Sequence, residues 1–240
     1  MKKISFWCGM LTIILAASIF GAAQTSQTAV AIKEIPANAR TTKDFAPRGL
    51  GVDNEATGDL NGDNISDAAL TLTVPFDDSE GQRPAGESAY DSSLCVVVVA
   101  LGKAGGGYRL LAANGDLFPP DADGRSYLSN RIEKGVLIIN TNWGDGMAKD
   151  ITYRFRFDKN RGKMLLIGFD QEQYDRTRND GSDNRSSENY LTGLRINYAR
   201  VKEGYSSPRE VGRSKISRRV VTFENARITQ NDDEIGYRPY

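Results

Sequence analysis

The chain has no histidine at all. That absence removes the imidazole base on which Ser-His-Asp and Cys-His catalysis depend. Cysteine is almost as scarce, with only Cys8 and Cys95 in 240 residues. A structural zinc site, built from imidazole and thiolate ligands, has no material here. Glycine-rich sequence occurs at Gly102 to Gly107, but Lys103 there lacks the spacing and the Ser/Thr of a phosphate-binding loop. Net charge is also missing: 31 basic residues balance 31 acidic ones, so nothing draws the chain electrostatically to nucleic acid or an anionic membrane. No segment sustains a capped 3.6-residue apolar period, which leaves strands as the expected currency of the fold.

The first 23 residues have the pattern of a secretory signal. Lys2 and Lys3 precede an uncharged run from Cys8 to Phe20, and Gly21-Ala22-Ala23 supplies small residues for cleavage. The apolar run is about thirteen residues, short for a bilayer span. Cleavage predicts a mature chain of about 217 residues in the periplasm or outside the cell, two charges negative, with no stable membrane insertion. Its single thiol, Cys95, lies between Leu94 and Val96 and reads as a small buried hydrophobe, so no internal disulfide is expected. Residues 24–48, rich in Ala, Thr, Gln and Lys, predict a flexible or loosely docked leader, and residues 49–240 one domain.

Within that domain the pattern predicts an all-β antiparallel meander, as a sandwich or partly closed barrel. Ala68 to Val74 reads as a strand ended by Pro75, followed by a polar loop from Phe76 to Ser93. Leu94 to Leu101 is continuously apolar and Val-rich, which fits a strand buried on both faces. Further strands are expected from Tyr108, at Gly135 to Asn140, at Ile151 to Phe157 and at Met164 to Phe169. Ile151, Tyr153, Phe155 and Phe157 alternate with Thr152, Arg154 and Arg156, which predicts one inward and one wet face. Tyr174 to Asn189 reads as a polar loop. Leu194 to Val201 and Val220 to Ile228 read as late strands, joined through a basic linker that includes Arg209, Arg213 and Lys215.

The richest chemistry lies in Gly58-Asp59-Leu60-Asn61-Gly62-Asp63-Asn64-Ile65-Ser66-Asp67. Side-chain oxygens fall at the first, third, fifth and ninth places counted from Asp59, which suits a hard cation that takes six to eight oxygens. Asp59, Asn61, Asp63 and Asp67 would supply side chains and Ile65 a carbonyl, with Ca²⁺ in a structural role. The plain alternative is an Asp/Asn-rich turn whose carboxylates cap backbone amides.

That decapeptide, with the strand after it, resembles the calcium loop of FG-GAP repeats, which build the β-propeller of integrin α chains. The usual loop has Gly where this chain has Asn64, and the motif occurs once, so the resemblance implies the loop without the propeller. The loop, the Val-rich strand, Gly-Tyr-Arg-Leu, the aromatic alternating strand and Asn189-Tyr190-Leu191-Thr192-Gly193 together resemble exported bacterial proteins with a single FG-GAP-like loop, over roughly residues 56 to 200. No activity comes with that resemblance. The expectation is a non-catalytic exported binding or structural domain stabilised by calcium, whose partner is a protein or cell-envelope component. Two alternatives stay open: a periplasmic inhibitor or immunity protein against a toxin or hydrolase, and a carboxylate-dependent glycan hydrolase. For the latter, Trp143 and Asp145 are the candidate platform and acid, against a plainer Gly/Asp turn pinned by the tryptophan.

Overall fold

The computed structural model describes residues 29–75, 90–118, 127–144, 146–177, 182–199, 209–230 and 237–239. The expected signal segment, most of the Phe76 to Ser93 loop, and the Asp123-Gly124 and Asp180-Gly181 turns lie outside them. The described fold is nearly all β, as the sequence predicts. A five-stranded sheet is built from β1 (Asn38–Ala39), β2 (Gly51–Gly58), β3 (Asp67–Pro75), β4 (Tyr90–Gly102) and β5 (Tyr108–Asn114), in the order β1-β5-β4-β3-β2. A seven-stranded sheet follows, from β6 (Tyr127–Glu133), β7 (Val136–Trp143), β8 (Met147–Asp158), β9 (Lys163–Asp175), β10 (Ser182–Asn189), β11 (Leu194–Ala199) and β12 (Arg209–Lys215). Its spatial order is its chain order, reversed, and one of the two sheets curls into a half-barrel. A last antiparallel pair joins β13 (Ile228–Gln230) to β14 (Tyr237–Pro239).

Two apolar cores follow from the side-chain alternation of β3 and β4. Ala69, Val97 and Val99 point between the sheets, where they meet Leu137, Ile139, Ile151, Tyr153, Phe155, Met164 and Phe169 of the larger one. Leu70, Leu72, Val96 and Val98 point the other way, into a second core with Ile35 and Phe45. The valine run is continuous because both faces of β4 are covered. Phe45 is fully buried, Thr42 Oγ1 donates to Glu55 Oε2 on β2 at 3.0 Å, and β1 pairs with β5. The leader expected to be loosely docked over 24–48 is therefore, from residue 29 on, a cover for the small sheet. Its apolar residues are spaced too irregularly to announce a strand or a long helix, yet Ala31, Ile35, Ala39 and Phe45 each fill a place in that core.

The aromatic strand holds to its pattern. Ile151, Tyr153 and Phe155 are buried, and Met164 and Leu166 join them from β9 in the same core. A bulge between Arg154 and Phe155 shifts the register so that Phe155 meets Leu166 while Arg154 meets Gly168. Three expectations give way. Tyr174 to Asn189 is not one loop: β9 runs on to Asp175, and β10 begins at Ser182. Arg209 to Lys215, expected as a basic linker, is the edge strand β12. Val220 to Ile228 is no strand before Ile228: a 3₁₀ turn at Phe223–Asn225 lies in its middle and buries Phe223 against Phe155, with ring centroids 5.0 Å apart. In each case sheet hydrogen bonding or one aromatic anchor overrode the local apolar pattern, which is weak in polar strands.

Candidate metal centre

The acidic segment connects β2 to β3, whose last and first residues, Gly58 and Asp67, are partners in the ladder. Two residues of this turn take the left-handed backbone, Gly62 at φ 76° and Asn64 at φ 64°. Asn pays little for that conformation, which explains why it can stand at a place where glycine is common. Leu60 is buried in the inter-sheet core and anchors the turn from below.

Carboxylates organise the rest. Asp59 accepts from the amides of Gly62 (2.6 Å), Asp63 (3.3 Å) and Asn64 (2.9 Å), and these bonds, the Asn64 amide foremost, hold its pKa below the usual carboxylate range. Asn61 Oδ1 accepts from the Asp63 amide at 2.8 Å, and Asp63 Oδ1 from the Ile65 amide at 2.8 Å. Asn61 Nδ2 donates to Asp63 Oδ2 at 2.9 Å. Asp67 is different. It is fully buried, and its two oxygens accept from the Leu60 amide (2.8 Å) and from the Gly102 amide at the end of β4 (2.9 Å). Burial pushes its pKa up, against the pull of those two amides. Gly102 has to be glycine there, because a Cβ would overlap the Ser66 carbonyl oxygen.

The five candidate ligands thus divide. Asp59, Asn61, Asp63 and Ile65 share one turn; Asp59 Oδ1 accepts from two amides, while Asp59 Oδ2 and Asp63 Oδ1 accept from one each and keep a lone pair of the kind a hard cation takes. Asp67 lies beneath the turn with both oxygens engaged by the backbone, and in this arrangement it holds the turn to β4. Among the described residues no three acidic, cysteine or histidine side chains converge on one point. Four of the expected ligands, Asp59, Asn61, Asp63 and Ile65, lie within the turn, and Asp67 is set apart from them by its bonds to the Leu60 and Gly102 amides.

The turn also lies where connections from both sheets meet. A Cβ on Gly62 would approach Lys159 Nζ in the β8–β9 hairpin, and one on Gly135, between β6 and β7, would approach the Asp59 carbonyl. Farther along the interface, the Asn130 amide donates to Asn54 Oδ1 at 2.9 Å and Asn130 Nδ2 to Thr71 Oγ1 at 3.0 Å, tying β6 to β2 and β3.

Compared with known proteins, the chain matches no family model and no curated protein. Among the described residues, no helix is long and apolar enough to cross a membrane.

A second polar region, on the outer face of the larger sheet, escaped the sequence reading. Asn142, Asp150, Glu172 and Tyr174 come together there, with Tyr127 and Arg176 beside them. Asn142 is fully buried, donates to Tyr174 Oη at 2.9 Å and accepts from Arg176. The only signal in the sequence was the polar half of the alternation on β8, which continues as Asp170, Glu172 and Tyr174 on β9. Trp143 points the opposite way. It is buried, its ring 6.0 Å from that of Phe118, so it offers no sugar platform and serves as the core pin of its turn. Asp145 lies outside the described residues.

Proposed function

We propose that the protein is an exported, non-catalytic domain that acts by binding or structural support, with the turn from Asp59 to Asp67 as its calcium-stabilised staple. The resemblance to an FG-GAP-like loop suggests the ion, and the pattern of Met1 to Ala23 suggests export. The observation that carries the reading is the position of the turn. Asp67 fastens it to β4, Leu60 sinks into the core, and the β6–β7 and β8–β9 connections border it. An ion held by Asp59, Asn61, Asp63 and the Ile65 carbonyl would stiffen a turn of the smaller sheet that two connections of the larger one border. Because the unfolded chain cannot hold that arrangement, binding is linked to folding, and calcium at a hundred times its dissociation constant adds about 2.7 kcal/mol of stability.

Thermal melts of the mature protein in calcium and in chelator test this. The Tm rises with calcium, rises less with magnesium, which demands tighter octahedral geometry, and loses its response in Asp63→Ala. Identical melts, with no heat on titrating calcium into stripped protein, would reduce the turn to a set of capped amides.

A further inference from the structure

Among the described residues, five buried side-chain atoms have no hydrogen-bond partner. Two of them, on Thr222 and Glu224, belong to the 3₁₀ turn after β12. The other three, Thr73 Oγ1, Asn130 Oδ1 and Thr141 Oγ1, fall in one part of the inter-sheet core. Thr73 is 4% exposed, Asn130 7% and Thr141 0%. Buried polar atoms in folded proteins are almost always paired, so three orphans in one place point to a partner that the chain itself does not supply.

Ladder registers bring the three together. Asn130 Nδ2 donates to Thr71 Oγ1 at 3.0 Å, which spans the gap from β6 to β3. Thr73 follows on the same face of β3, about 7 Å along the strand. Asn130 stands opposite Ile139 of β7, so Thr141 is its diagonal neighbour, within about 8 Å. Both steps lead to the same end of the sandwich. The Asn130 amide binds Asn54, and Ile132 lies against Gly58, so β6 runs beside β2 in the same direction. Thr73, paired with Gly51, and Thr141, paired with Leu128, therefore share the end where β2 and β6 begin. The acidic turn is at the other end.

The chemistry of the three atoms selects the ligand. Two hydroxyls and an amide oxygen carry no charge, so they give an ion no advantage. A hydroxyl can donate or accept, whereas the amide oxygen only accepts, so the partner has to donate and accept at once. It also has to be small, because Val97, Leu128, Ile139 and Trp143 pack the same core. Water meets both conditions, and one molecule bonded at about 2.8 Å on each side spans about 5.6 Å between two oxygens. Cys95, opposite Thr73 on β4 and only partly buried, marks the side from which water enters. We propose that this end of the inter-sheet core is an internal hydration site. Ordered water there bridges Thr73 Oγ1, Asn130 Oδ1 and Thr141 Oγ1, and so joins β3 of the smaller sheet to β6 and β7 of the larger.

The site stands apart from the acidic turn, so it holds whether or not calcium binds there. Its test has two arms on the full mature protein: a high-resolution crystal structure, and denaturant melts of Thr73→Val, Thr141→Val and the double variant. The crystal should show water within hydrogen-bond distance of at least two of the three oxygens. Valine keeps the shape of threonine and removes only the hydroxyl, so the variants should fold. If water bridges the hydroxyls, each valine strands it and should lower the folding equilibrium constant about fivefold. The double variant should lose less than the product of the two effects, because both hydroxyls serve the same water. In a dry core the sign reverses: each valine then removes an unmet polar group and raises the constant. Stabilisation by both substitutions, strict additivity, a crystal with no water between these oxygens, or an ion in its place overturns the assignment.

Discussion

The two sheets spend their residues differently. The five-stranded sheet is covered on both sides: β3 and β4 send Val97 and Val99 into one core and Val96, Val98, Leu70 and Leu72 into another. The seven-stranded sheet packs one face into the shared core, and its other side carries rows of Asn, Asp, Glu, Arg and Tyr, with Asn142 buried among them. A sheet buried twice has no face left to meet a ligand, so it can serve only as scaffold, reachable through its ends. The larger sheet is anchored by one face and carries polar side chains on the other. That division sets the acidic turn at an end of the covered sheet and the polar side chains on the outer face of the larger one.

The comparison breaks most visibly at its buried aromatics. Phe155→Ala in the shared core and Phe45→Ala under the cover of the small sheet should each cost about 3–5 kcal/mol in denaturant melts. A loss below about 1 kcal/mol for Phe45→Ala would mean that residues 29–50 leave the small sheet open to water, and the contrast between the sheets would vanish. Next in size is Asp67→Ala, which strands the buried amides of Leu60 and Gly102. Unsatisfied buried groups cost about 1–3 kcal/mol, and Asp67→Asn, which keeps one acceptor, should recover part of the loss. Equal stability of the two variants would remove Asp67 as the clamp between turn and β4.

The smallest effect sharpens the other side of the comparison. Burial, and then Glu172 opposite, push the Asp150 pKa up, against the pull of the Asn142 hydrogen bond and of Arg176. The unfolded chain titrates near 3.8, so ionising Asp150 as pH rises through its higher folded value costs the native state. Asp150→Asn should therefore be more stable than wild type at pH 7, by about 0.2–1 kcal/mol if the like-charge opposition dominates. That advantage should shrink as pH falls toward 3, where Asp150 is neutral. An advantage independent of pH would show that Glu172 does not stand against an ionised Asp150.

Much of this frame was legible in the chain because apolar alternation reports burial directly. Ile151, Tyr153 and Phe155 announced the shared core, and the unbroken valines of β4 announced a strand covered twice. The polar strands were not legible. Ser182–Asn189 contains no apolar residue, and its strand state is imposed by pairing with β9 and β11. Leader residues such as Phe45 gave no period, because each fills a separate place on a surface built elsewhere. The acidic turn was visible as chemistry, but not the inward aim of Asp67, which depends on Gly102, 35 positions away. The polar region of Asn142, Asp150 and Glu172 was out of reach for a related reason: it exists only across the strands, assembled by ladder registers that no single stretch encodes.

The outermost strand of the larger sheet has a bearing on how the molecule behaves in company. β12 is mostly exposed along its length, and four of its seven residues are charged: Arg209, Glu210, Arg213 and Lys215. An open strand of this kind would ordinarily invite another chain to zip on and extend the sheet indefinitely. Here a second copy arriving in the same register would have to bring its own charges alongside these, and Arg213 and Glu210 already bind each other at 2.5 Å. The outcome is colloidal: concentrated solutions should stay monodisperse where a neutral edge would grow ribbons.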